Sequence, residues 1–270
     1  DSGVDFSHPD LAGQIWTNPG EVPNNGLDDD NNGLIDDVHG FDFHNWDGDP
    51  SDDDGHGTHV AGTIAAVANN GIGVAGVAPN AQIMALKAFG SDGGYLSRAI
   101  AGLFYAVWHG ADISNHSYAL YEDAAELTEM IQFAGAFDHL VVAAASNEGL
   151  NNDNSPAYPA SYPFDNVISV AAADQSGNLA GFSNYGASSV DVAAPGVGIL
   201  STTLGGGYGT MNGTSMAAPH VAGVAALLRS VAPTASPSTI RQMLIDSAQP
   251  NAALVGLTVS GGTVDVFEAI

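Results

Sequence analysis

LVVAAASNEG, Leu140 to Gly149, is an unbroken apolar run that stops at a Ser-Asn-Glu-Gly turn. A run apolar at every position, not every second one, is what a strand needs when both faces of its sheet are covered. Working outward, Gln82–Ala88, Ala111–Ser114 and Val167–Ala172 read as further strands. His56–Val67, Ser97–Trp108, Glu122–Phe133, Gly213–Ser230 and Ser238–Ser247 carry apolar residues at helical spacing. Strands alternating with helices predict an α/β fold, a mostly parallel central sheet with helices on both faces. Ligands of such sheets bind beyond the carboxyl ends of the strands, which is where Asn147 falls.

The chain has 270 residues, within the range of one α/β domain, and 45% hydrophobic against 13% charged residues is an ordinary globular balance. Its formal charge is −26, with only 4 Lys and Arg. Nucleic acid and anionic membrane surfaces are therefore poor partners. The acid excess suits a high-salt setting. Cysteine is absent, so no disulfide or thiolate chemistry is available. No apolar run reaches the ~18 residues of a membrane-spanning helix.

In DGHGTHVAGT, Asp54 to Thr63, His56 and His59 stand three apart with Gly57 and Thr58 between them. A helical zinc protease places its histidines four apart with a glutamate after the first, so this spacing argues against zinc. GTSMAAPHVAG, Gly213 to Gly223, sets Ser215 at the start of an apolar helix, among N–H groups that lack intrahelical acceptors. DSGVDFSHPDL, Asp1 to Leu11, puts an aspartate before a Ser-Gly turn. Singly, each reads as an ordinary cap, packing or turn residue.

Together, in the order Asp1, His56, Ser215, these segments resemble the subtilisin family of serine proteases. AAASNEG, YPASYP, FSNYG and VAAPG fall in the expected order between them. The resemblance covers nearly the whole chain and implies one peptidase domain, residues 1–270, with a three-layer subtilisin-like fold. It implies a serine endopeptidase with Ser215 as nucleophile, His56 as general base and Asp1 as its orienting acid. Asn147 and the Ser215 N–H would bind the oxyanion, and His59 would be structural. The partner implied is an extended polypeptide added as a strand. Gly93, Gly94, Ser117, Tyr118 and Ala119 would flank it, with Ala144, Ser146 and Ala157 around the primary pocket. The chain departs from the family at Ser117-Tyr118-Ala119, where Ser-x-Gly is common, at Ser146 where glycine is common, and at Ala157 near a glycine position. Glu148 at the pocket mouth would accept a basic side chain. The competing reading is a non-catalytic, calcium-stabilised extracellular binding module on the same fold.

DDDNNGLIDD, Asp28 to Asp37, sets Asp28, Asp30 and Asn32 at alternate positions before Gly33, the first half of an EF-hand-like loop. Position twelve is His39, so Asp37 is the expected closing carboxylate. Carboxylates this close repel unless a hard cation neutralises them. DFHNWDGDPSDDDGH, Asp42 to His56, resembles a calcium loop of thermitase-like relatives, which implies ligands Asp42, Asp47 and Asp49. Calcium is thus the expected cofactor, structural and not catalytic, ordering residues 17–55 and through them His56.

The family places a strand, usually central, directly before its catalytic aspartate, whereas this sequence opens on Asp1. The expectation is a longer secreted precursor contributing that strand, a signal sequence and a propeptide partner, and a monomeric extracellular enzyme. A free α-amino group on Asp1, of ordinary pKa about 7.7–8.0, would compete with the His56 imidazolium for the carboxylate.

Overall fold

The computed structural model describes residues 1–270. Its chain divides into two compact units, Asp1–His109 with Ser201–Gly209, and Gly110–Leu200 with Thr210–Ile270.

In the first unit β1 (Gly40–Asp42) pairs in parallel with β2 (Ala85–Lys87), with Phe41 opposite Leu86. Helix α1 (His56–Ala65) lies between them in sequence, and Ala61 packs with Ala85, Val4 and Leu11. β3 (Phe89–Gly90) and β4 (Gly93–Gly94) form a small antiparallel hairpin ahead of α2 (Leu96–Trp108). Tyr105 of α2 joins Phe41, Phe43, Trp16 and Leu34 in an aromatic cluster. The helices begin and end within about three residues of where the apolar spacing predicts. Residues 17–39 form a loop without regular secondary structure, held by side-chain to backbone bonds.

The second unit holds a six-stranded sheet, whose strands lie in the order Gln249–Pro250, Gly262–Thr263, Val192–Pro195, Val167–Ala173, Leu140–Ala144, Ile113–His116. β5 (Ile113–His116), β6 (Leu140–Ala144), β7 (Val167–Ala173) and β8 (Val192–Pro195) run parallel, with Val142 between Asn115 and Ile168. Every residue of β6 and β7 is buried, as the unbroken apolar run requires. α3 (Ala125–Ala136) packs on β6. Between β8 and α4 the chain forms a hairpin of β9 (Ile199–Thr203) and β10 (Gly207–Met211), of which Ser201–Gly209 belong to the first unit, and α4 (Thr214–Val231) packs on β5 to β8. α5 (Pro237–Asp246), β11 (Gln249–Pro250), β12 (Gly262–Thr263) and α6 (Val266–Ala269) complete the chain. The predicted parallel strands thus occur as two sheets, one in each unit, with β5 an edge strand of the larger. No helix is long and apolar enough to cross a membrane.

Candidate active site

In the first unit the carboxylate of Asp1 meets the ring of His56. Oδ1 lies 2.7 Å from Nδ1 and also accepts the Ser2 N–H at 2.8 Å. The Asp1 carbonyl accepts the N–H groups of Ala88 and Phe89, which fixes this residue against the end of β2. His56 is the first residue of α1, after Gly55 at φ +101°, a left-handed position that favours glycine.

The helix start is organised by Asp52, a residue the sequence reading does not single out. Its Oδ1 accepts the N–H groups of Asp54 and Gly55 and the Ser2 hydroxyl, while Oδ2 accepts the Thr58 N–H at 2.8 Å and its hydroxyl at 2.6 Å. Burial pushes this carboxyl upward, but the bonds from Gly55 and Thr58 outweigh it and hold it below its ordinary value. The Ser2 hydroxyl in turn accepts the Gly57 N–H, so one acid joins the segment after Asp1 to the segment carrying His56. A Cβ on Gly57 would meet the Gly3 carbonyl oxygen at 2.2 Å, which explains why glycine follows the histidine. The His56 ring lies below its ordinary pKa, because burial disfavours the cation. His59 is fully buried, with Nε2 3.2 Å from the Gly209 carbonyl, and serves packing.

In the second unit Ser215 is the second residue of α4, after Gly213. Its hydroxyl donates to the Ser117 carbonyl at 3.2 Å, and the Ser117 hydroxyl donates to the Ser215 carbonyl at 3.0 Å. That return bond has a backbone reason. Pro219 has no N–H to give to the carbonyl four residues earlier, which is that of Ser215, and Ser117 supplies the donor instead. Asn147 stands just past the carboxyl end of β6. Its Oδ1 accepts the N–H and hydroxyl of Thr214 at 2.8 and 3.0 Å, which fixes the amide orientation and leaves Nδ2 to donate elsewhere. Ser117, Ser215 and Asn147 are therefore joined through α4 at the carboxyl ends of β5 and β6.

The remaining substrate-side residues are less uniform. Gly93 and Gly94 are exposed in β4. Tyr118 and Ala119 continue from β5 into a bridge between Leu120 and Tyr158. Ser146 has φ +93°, donates its N–H to the Thr214 hydroxyl and accepts the Tyr121 hydroxyl. Ala144 and Ala157 are 2% and 0% exposed, so any part they play is through the shape of their surroundings. Glu148 is not an open carboxylate, because Tyr121 and the Asn147 N–H both donate to its Oε2. β5 carries a further network invisible in the pattern: His139, the Ser114 hydroxyl, His116 and Tyr118 are linked in series by bonds of 2.8 to 3.0 Å. Burial drives the two imidazoles down to about 4 and about 3 respectively, with His139 also depressing His116.

The acidic loops divide. Glu21, Asp28 and Asp30 bring carboxylate oxygens within 4.8 Å of one another, as do Asp30 and Asp37 with the ring of His109. Neither Glu21 nor His109 is suggested by the spacing of the loop, since each is brought in from outside residues 28–37. Asn32, expected to offer an oxygen, turns its amide nitrogen toward Asp30 and Asp37 because its oxygen accepts the Leu34 N–H at 2.8 Å. The second expected set, Asp42, Asp47 and Asp49, is not gathered. Asp42 accepts from His44 and Asn45 and lies 3.7 Å from the Lys87 ammonium, while Asp47 and Asp49 accept from Asp49 and Ser51. Of the three, only Asp42 has the Lys87 ammonium beside it.

A profile of the Peptidase_S8 family, described as the subtilase family, matches residues 1–262. The chain is 44% identical over 231 residues to a "Thermophilic serine proteinase" of Bacillus sp. (strain AK1), an alignment covering 85% of this chain and 51% of the relative. It thus spans about half the length of that relative. Against "Thermitase" of Thermoactinomyces vulgaris it is 39% identical over 271 residues, covering 100% of this chain and 86% of the other. A solved structure described as proteases from Pseudoalteromonas arctica PAMC 21717 superposes with a TM-score of 0.81 at 33% identity, covering 100% of this chain and 87% of that one. The chain belongs to the subtilase family.

Proposed function

We propose that the chain is the catalytic domain of a serine endopeptidase acting on extended polypeptides. The observation that carries this reading is the 2.7 Å contact between His56 Nδ1 and Asp1 Oδ1, in a chain of this family. A carboxylate on Nδ1 keeps the proton there and leaves Nε2 with a lone pair, the tautomer a general base needs. In the reaction His56 takes the Ser215 proton as Oγ attacks the peptide carbonyl. It then gives that proton to the leaving amine, which releases the acyl-enzyme to water. Asp1 stabilises the imidazolium formed between these steps. Charge builds on the carbonyl oxygen during attack, and preorganised donors stabilise it best. The Asn147 amide nitrogen and the Ser215 N–H at the α4 terminus are the donors we assign, supported by the anchoring of Asn147 Oδ1 on Thr214.

The substrate enters as a strand, its backbone meeting Gly93-Gly94 and Ser117 to Ala119. Calcium is the structural cofactor, held in the loop around Asp28 and Asp30, and the enzyme works outside the cell as a monomer. Its donors are hard oxygens, suited to calcium, and the buried Glu21 carboxylate beside them is only partly satisfied. A fluorophosphonate probe tests the chemistry. Labelling at Ser215 that disappears in Ser215→Ala and in His56→Ala is expected; peptidase activity that survives Ser215→Ala would overturn the assignment.

A further inference from the structure

Four polar side chains of the second unit, those of His139, Ser114, His116 and Tyr118, are joined end to end. Both imidazoles are buried, at 0% and 5% exposed, and burial is the first cause that drives His139 to about 4 and His116 to about 3. Asp112 and Arg229 act on His139 in opposite senses and leave that direction unchanged. Both rings are therefore neutral near pH 7, each with one N–H and one lone pair.

That neutrality gives the hydrogens a single arrangement. His139 Nδ1 lies 2.6 Å from the Ala111 carbonyl, which can only accept, so this nitrogen carries the proton. His139 Nε2 is then an acceptor, and the Ser114 hydroxyl 2.8 Å away donates to it. A hydroxyl has one proton to give, so the same oxygen accepts from His116 Nε2–H at 2.8 Å. His116 Nδ1 keeps the lone pair, and the Tyr118 hydroxyl donates to it at 3.0 Å. Burial pushes the Tyr118 phenol upward, so it holds the proton it donates. The series starts on a backbone carbonyl and ends in Ser117–Ala119, the segment assigned above to the substrate strand. Ser117, between His116 and Tyr118, also exchanges bonds with Ser215 in both directions, at 3.0 and 3.2 Å.

We infer that His116 is a positioning residue, whose Nδ1 holds the Tyr118 hydroxyl and so keeps Ser117–Ala119 where it receives the substrate backbone. It acts through Tyr118 and not by contact with the peptide. The inference rests on the peptidase reading proposed above. Because the segment meets the substrate before and during reaction alike, its displacement weakens binding uniformly, which shows in KM and not in kcat.

Two substitutions in the full chain separate the two ring nitrogens. His116→Asn can place its amide oxygen where Nδ1 stands and keep an acceptor for Tyr118, whereas His116→Gln reaches toward the Nε2 position and keeps only a partner for Ser114. With a peptide long enough to lie along Ser117–Ala119, His116→Gln is expected to raise KM ~2–10-fold at unchanged kcat, the worth of one neutral hydrogen bond. Tyr118→Phe should raise KM by a like factor, and the double variant no further, since the same bond is lost in each. His116→Asn should keep the wild-type KM. A histidine that only fills space would move the Asn and Gln variants alike, or would add to the effect of Tyr118→Phe, and either result would overturn the role. Nitrogen-15 spectra of the wild type near neutral pH test the series without reference to activity. His139 should carry its proton on Nδ1 and His116 on Nε2, and the same tautomer in both would sink the inference while leaving the peptidase reading standing. A wild type without Ser215-dependent peptidase activity would remove that reading and the role of His116 with it.

Discussion

An imidazole is a base only while neutral, so the environment of His56 sets the lower pH limit of any reaction it serves. Its ring is pulled below the ordinary value of 6.5 by burial, against the opposing pull of Asp54 and Asp52. A lowered value keeps the ring neutral further into acid, so the acid limb of kcat/KM should fall below pH 6.5. The pH profile on a small peptide substrate measures this directly, and a limb centred above that value would contradict the environment described. The same residue illustrates what sequence can and cannot carry. DGHGTHVAGT distinguishes a base from a zinc ligand by spacing alone, and its glycines report close backbone approaches such as Gly57 on Gly3. Asp52 carries no such signature. It lies in a run of aspartates, and only the fold selects which of them bonds Ser2, Gly55 and Thr58.

At the scale of elements, that selection makes the start of α1 the part of the first unit most dependent on one side chain. Gly55 cannot cap the helix with a side chain, and the Asp52 carboxylate takes over by accepting at Thr58. Asp52→Ala is expected to cost ~1–2 kcal/mol, the usual worth of an N-terminal cap, and to lower kcat more than it raises KM, because His56 begins the loosened turn. The sign with pH follows from its depressed carboxyl: the stabilisation is present above the unfolded value of about 4 and is lost as pH falls through the folded one. Melts of the two proteins should therefore converge in acid, and a gap that persisted there would place the effect elsewhere. The elements that sequence reads well share this economy of cause. β6, β7 and α4 bury unbroken or periodic apolar runs, and their limits fall within one or two residues of expectation. β3, β4, β11 and β12 are two residues each and hold glycine, proline or polar residues, so they exist by pairing with neighbours and leave no periodicity to find. Glu21 and His109 escape for a related reason, since a site assembled across the fold has no spacing.

For the molecule as a whole the dominant quantity is charge. At a net −26 the chain repels itself, and its 4 basic side chains are already engaged. Lys87 lies 3.0 Å from Asp53 and 3.7 Å from Asp42; Arg229 reaches Asp112 and Asp138; Arg241 meets Asp191 at 2.5 Å. Arg98 contacts His44, whose other nitrogen is 3.1 Å from Asp92. No Lys or Arg is left for the remaining carboxylates, and their mutual repulsion is carried largely through solvent, where salt acts on it. The screening length shrinks from about 10 Å to about 3 Å between 0.1 M and 1 M salt. Salt weakens attractive pairs as well, but exposed pairs are worth only ~0–1 kcal/mol each and are few here, and Lys87 and Arg229 are buried and less affected. The repulsive sum should win, so sodium chloride is expected to raise the melting temperature. Chloride is the informative salt, because sulfate would also strengthen apolar burial. The melts belong in excess chelator, so that changing calcium occupancy does not enter. A melting temperature that fell as chloride rose would mean that ion pairs outweigh the acid excess in holding this fold.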